Sequence, residues 1–157
     1  FRAMHDHDLA RMRAALPEGF VLHDHRRMIG LGRLESADDY IASVAALFEL
    51  TADVIYGTLY HLAAEKHGEL AVEHGYGTLA EGGEFESVFV RLTLYHAQRF
   101  VGVELFDLED LDVARARFEA LRPDPLGIPP PAAPRTRSRP RTRRGARVPR
   151  TPRARKR

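Results

Sequence analysis

The 157-residue chain contains no cysteine, so disulfides and thiolate metal sites are excluded. No apolar run approaches the roughly 20 residues needed to span a bilayer. There is no charged-then-apolar leader followed by a small-residue cleavage site, so the expected location is cytoplasmic, without membrane contact. Phosphate loops, nucleotide fingerprints, catalytic triads and internal repeats are also missing. Gly30-Leu31-Gly32 lacks both the third glycine and the strand-to-helix spacing of a dinucleotide motif, and reads as a loop. The first residue is Phe1 rather than methionine, which raises the expectation that the chain is a fragment or the terminal region of something longer.

The charge is unevenly placed. From Pro123 to Arg157 there are 11 Arg and one Lys against one Asp, a net +11, and nine of the ten prolines fall there. The first 122 residues carry 12 basic and 21 acidic side chains, a net −9. The division expected is a folded acidic domain over 1–122 and a Pro/Arg-rich, disordered tail over 123–157. The tail has no apolar periodicity and no aromatic residue for base stacking. Any contact with nucleic acid through Arg135–Arg157 is therefore expected to be non-specific and salt-sensitive.

Along the domain, residues 1–16 read as a weak helix with Phe1, Met4, Met12 and Leu16 on one face, broken by Pro17 and Gly19. Phe20–His23 is a short strand, and Met28–Arg33 a loop. Ser36 is an N-cap, with Asp39 three residues on, and Tyr40, Ile41, Val44, Leu47 and Phe48 form one apolar helical face. Four strands follow, over Asp53–Glu65, Glu69–Leu79, Phe85–His96 and Arg99–Phe106, joined as hairpins. Asp107 is placed to cap a last helix, Leu108–Leu121, whose acidic residues come first and arginines later. Consecutive antiparallel strands with helices held to one side make an α+β domain.

Four segments carry a family resemblance: DHRR-x-x-G-x-GR-x-E (Asp24–Glu35), DDYIASVAALFEL (Asp38–Leu50), TLAEGGEFESVFVRLTLY (Thr78–Tyr95) and VELFDLEDLDVARARFEALRPDP (Val103–Pro125). Together they resemble the SnoaL-like branch of the NTF2-like superfamily, over roughly Phe1–Arg122. The resemblance implies an α+β cone, a curved antiparallel sheet wrapped over helices. It also implies a small apolar or amphiphilic ligand and, commonly, a homodimer. Similar sequences stand alone or look like C-terminal modules of larger bacterial regulatory proteins. A buried Asp/His pair is the acid–base machinery that the resemblance implies, and by position it falls on Asp24 and His25.

The residues themselves make His23-Asp24-His25-Arg26-Arg27 the densest ionisable cluster. In a strand, His23, His25 and Arg27 would share one face, and Asp24 and Arg26 the other. A carboxyl or imidazole turned into a low-dielectric cavity could move a proton near neutral pH; otherwise Asp24 and the arginines form a structural ion-pair network. H-x-H places two imidazoles together here and at His5-Asp6-His7, but no third or fourth ligand stands at a recognised spacing. No metal and no cofactor are expected. In the strands, Tyr56, Thr58 and Tyr60 would share a face, as would His74, Tyr76 and Thr78, and Ser87, Phe89, Arg91, Thr93 and Tyr95. Arg91 either anchors an anionic ligand or faces solvent, and the usual wetting of one sheet face favours solvent. His61 and Glu104 are similarly open. The ligand-binding set expected is Arg27, Tyr40, Tyr60, His74, Arg91 and Tyr95. The leading expectation is a ligand-binding, accessory or sensor domain. The alternatives are an acid–base isomerase, cyclase or hydrolase using Asp24 or His25, and a dimerisation module.

Overall fold

Ser36 opens the longest helix as its sequence requires. Its hydroxyl accepts the Asp39 backbone N–H at 3.0 Å and donates to the Asp39 carboxylate at 2.7 Å. In the computed structural model, which describes residues 2–28 and 30–123, this helix is α3 (Ala37–Leu50). Two short helices precede it, α1 (Arg2–His5) and α2 (Leu9–Ala15). The single N-terminal helix expected is interrupted because His7 takes a left-handed conformation, φ 51°, and Asp8 then caps a fresh start by accepting the Arg11 N–H. The strands are β1 (Val21–Asp24), β2 (Gly32–Leu34), β3 (Ile55–Glu65), β4 (Gly68–Thr78), β5 (Glu84–His96) and β6 (Arg99–Asp107). The tail and its expected nucleic-acid contact lie outside the described residues. No helix among the described residues is long and apolar enough to cross a membrane.

The six strands form one curved, unclosed sheet in the order β2-β1-β6-β5-β4-β3. Neighbours are antiparallel except β1 and β6, which run parallel with His23 opposite Glu104. The strand β2 occupies part of the expected loop: Gly30 and Gly32, both at positive φ, turn the chain so that Arg33 pairs with His23.

The sheet is covered on both faces, not one. Against one face, α3 brings Ala37 and Tyr40, and the residue after α2 brings Leu16, onto Phe20, Leu22, Phe89 and Leu105, with Tyr56 at the margin. On the other, α4 (Leu111–Ala120) lays Ala114 and Phe118 on Leu70, Val90, Leu92 and Phe106. Residues 89 and 90 alternate across β5, which fixes the two helical layers on opposite sides. The α4 helix begins after a tight turn, Leu108–Asp110, rather than at an Asp107 cap. The Asp107 carboxylate instead accepts the Arg27 backbone N–H at 3.1 Å and its Nε at 2.9 Å.

Two bulges correct the expected faces of β3. Thr58 pairs with Glu73 but Tyr60 with Val72, so the extra residue turns Tyr60 to the α4 face while Tyr56 and Thr58 stay on the α3 face. A second shift follows between His61 and Ala63.

Candidate functional site

Strand β1 delivers the ionisable cluster to both faces. Its alternation sends Leu22 and Asp24 toward α3 and His23 toward α4, and His25, just past the strand, continues on the α4 face against Phe106. Asp24 and His25 are therefore not brought together. Arg27 falls beyond the strand and does not share the histidines' face. It forks across Asp107, Glu109 and Asp110 at the start of the last turn.

On the α3 face, the Asp24 side chain is fully buried and accepts four hydrogen bonds. Arg26 donates through its backbone N–H at 3.0 Å, Nε at 2.9 Å and a terminal nitrogen at 2.8 Å, and the Leu31 backbone N–H adds one at 3.3 Å. Burial pushes the Asp24 carboxyl up, but these donors and the Arg26 charge outweigh it and hold the group below its ordinary value. The Arg26 guanidinium sits 4.8 Å over the Phe89 ring, a cation–π contact within the apolar layer.

Further along this face, Arg91 is turned inward rather than to solvent. It pairs with buried Glu73 at 2.8 Å, and the Thr58 hydroxyl donates to the same Glu73 oxygen at 2.9 Å. Tyr40 lies 5.1 Å from Phe20, and Tyr56 meets Phe89 edge-on at 6.2 Å. Burial raises both phenols above the ordinary tyrosine value, so both remain hydrogen-bond donors at neutral pH. Gly75 makes room for Tyr56: a Cβ there would collide with its ring. The Thr93 hydroxyl is buried with no hydrogen-bond partner among the described residues.

On the α4 face, an open cleft of about 780 Å³ is lined by His23, His25, Arg33, Val103, Glu104 and Arg117, among others. The His25 imidazole lies 3.1 Å from one oxygen of buried Glu104. Arg117 donates to the other oxygen at 2.9 and 2.8 Å. Burial alone would raise the Glu104 carboxyl, but Arg117 and His25 hold it below its ordinary value. His23 packs 3.7 Å from His25. Its imidazole is pushed down by burial and by the His25 charge, with Arg33 and Arg117 adding to this and Glu104 opposing.

The other expected ligand residues are dispersed. Tyr40 and Arg91 share the α3 face, and Tyr95 pairs with Phe100, which packs on Phe20. Tyr60 is 66% exposed, and His74 hydrogen-bonds Glu86 at 2.8 Å on the α4 side, beside Tyr76. Glu73 and Arg117 escaped the sequence reading. Glu73 had a signal, a lone acid in the buried run of β4. Arg117 had none, because only the packing of α4 back onto β6 brings Glu104, 13 residues earlier, to it.

No family model and no curated protein matches the chain. Solved structures do. An NTF2-like protein of unknown function from Burkholderia pseudomallei is 20% identical, with a TM-score of 0.55 over 70% of this chain and 86% of that one. The BvnE pinacolase of Penicillium brevicompactum is 16% identical, with a TM-score of 0.59 over 76% and 87%. An epoxide hydrolase of the LEH-like kind from M. tuberculosis is 12% identical, with a TM-score of 0.54 over 76% and 85%. The likeness extends over the α+β sheet and its helices, and the chain has an NTF2-like fold.

Proposed function

We propose that the domain binds a small apolar or amphiphilic molecule against the α3 face of its sheet. The observation that carries this reading is the Thr93 hydroxyl, buried with no hydrogen-bond partner among the described residues, two residues from Arg91 on β5. An unsatisfied buried polar group costs about 1–3 kcal/mol, which a ligand's polar end would relieve. Tyr40 and Tyr56 add two protonated phenols to the same layer, and Phe20, Phe89 and Leu105 add apolar surface. The helices α1 and α2, the latter packed beside α3, bury no residue completely, which leaves this end of the domain the easiest to open to a ligand. The fold supports binding or catalysis of small molecules in general. The finer assignment, a SnoaL-like accessory or sensor module of a larger regulatory protein, rests on the sequence resemblance.

The test is native mass spectrometry of the purified chain, with a thermal-shift screen of cyclic ketones, fatty acids and aromatic carboxylates. A retained molecule, or a raised melting temperature that Thr93→Val and Tyr56→Phe diminish, is expected. An empty chain that no compound stabilises refutes the reading. The same spectra report whether the chain is the homodimer that the resemblance implies.

A second reading is acid–base chemistry: isomerisation, cyclisation or hydrolysis of a small organic substrate. What favours it is the His25–Glu104 pair, open to the cleft on the α4 face. Asp24 contributes differently: with its oxygens already engaged by four donors, we assign it to holding the fold. Turnover per folded chain that survives Asp24→Asn but not His25→Ala supports this division, and the reverse pattern in folded variants contradicts it.

A further inference from the structure

We propose that His23, His25 and Glu104 form a binding site for one divalent transition-metal ion on the α4 face of the sheet. Two imidazoles and a carboxylate are the donor set such ions favour. Their ligating atoms all lie within 4.8 Å of one another, and among the described residues no other such group of three occurs. The third ligand, absent from the local spacing, arrives by pairing: the parallel register of β1 and β6 puts Glu104 opposite His23.

The geometry suits one shared ion. The 3.1 Å between His25 Nε2 and Glu104 Oε2 is the edge that two donors span when each stands about 2.1 Å from a common centre at roughly a right angle. Arg117 occupies Oε1, so the carboxylate binds through Oε2 alone, and Arg117 acts as a positioning residue. His25 is held flat against Phe106, 4.5 Å away at an interplanar angle of 15°. The remaining coordination positions open into the cleft, whose walls include Val21, Leu94, Val101 and Val113. That arrangement takes an oxygen-donor ligand with an apolar body. The site lies across the sheet from Thr93, Tyr40 and Tyr56, so it stands or falls independently of ligand binding there.

The experiment is calorimetric titration of the full chain, stripped with EDTA and dialysed, with zinc chloride near neutral pH. Cobalt(II) serves as the absorption probe. One zinc per chain is expected, with a visible cobalt band. His23→Gln, His25→Gln and Glu104→Gln each lower affinity by at least roughly 100-fold, beyond the usual effect of losing an outer-shell partner. The double variant His61→Gln, His74→Gln, which removes histidine–carboxylate pairs elsewhere, binds like the unaltered chain. Melting curves in EDTA establish that each variant is folded, and the partly exposed His25→Gln carries the test if buried Glu104→Gln does not fold. The proposal is overturned if zinc does not saturate the unaltered chain, if folded His25→Gln or His23→Gln binds undiminished, or if the His61/His74 variant loses binding instead.

Discussion

The two faces of strand β1 use the same residue types to opposite ends. On the α3 face, Asp24 and Arg26 are buried together and engage each other by three hydrogen bonds. On the α4 face, His25, Glu104 and Arg117 make a comparable chain of contacts, but it borders an open cleft. The difference lies in what each group has left to give. A carboxylate with four donors and no solvent has no free lone pair for a substrate, and removing its partner leaves an uncompensated buried charge. A carboxylate with one oxygen held and the other turned to imidazoles at a cleft keeps a position for chemistry.

This contrast can be broken in several ways. Arg26→Leu should have the largest effect, about 3–5 kcal/mol lost in urea denaturation, because Asp24 would stay buried with only backbone donors. A loss below about 1 kcal/mol would mean that the pair is replaceable. The acid limb of stability follows from the same side chains. The folded Asp24 and Glu104 carboxyls lie below their ordinary values of 3.8 and 4.5, so the unfolded chain takes up protons first as pH falls. Their stabilisation is present at neutral pH and disappears as pH drops from those values through the lower folded ones. The His23 imidazole, lowered from 6.5 beside His25, Glu104, Arg33 and Arg117, acts in the same direction but in a higher window. The α4 face should thus begin to lose stability below pH 6.5, before the α3 face does. Chemical denaturation across pH checks this, and His23→Gln should remove the upper slope while leaving the lower one.

Gly75→Ala should cost about 1–3 kcal/mol by driving a Cβ into the Tyr56 ring, and it should weaken any α3-face ligand while leaving zinc binding alone. Equal loss of both would show that the faces are coupled. The smallest effect is expected for Thr93→Val. Removing an unpartnered buried hydroxyl should change stability by less than about 1 kcal/mol, or raise it, and yet lower ligand affinity. A large destabilisation would reveal a hidden partner for that hydroxyl.

How far this contrast was legible in the sequence depends on the range of the interaction. Local signals were sufficient for the Ser36 cap, for the hairpins and for the two imidazoles of His23-Asp24-His25 on one side. They also separated Asp24 and Arg26 from His23. They failed where a single inserted residue resets a face, as at the β3 bulges that part Tyr60 from Tyr56 and Thr58. The inward turn of Arg91 was missed because its partner Glu73 lies on a neighbouring strand. The meeting of His25 with Glu104, 79 residues apart, depends on the parallel β1–β6 register, which hydrophobic periodicity does not encode. The side chosen by α4 was equally hidden, since its apolar stripe fits either face of a sheet apolar on both.

The most direct measurement is urea denaturation of Asp24→Asn and His25→Gln side by side at neutral pH. Asp24→Asn should lose about 3 kcal/mol or more, because it strands a buried guanidinium. His25→Gln, partly exposed at the cleft, should lose less than about 1 kcal/mol. Equal losses, or the reverse order, would contradict the division of β1 into a structural face and a chemically available one.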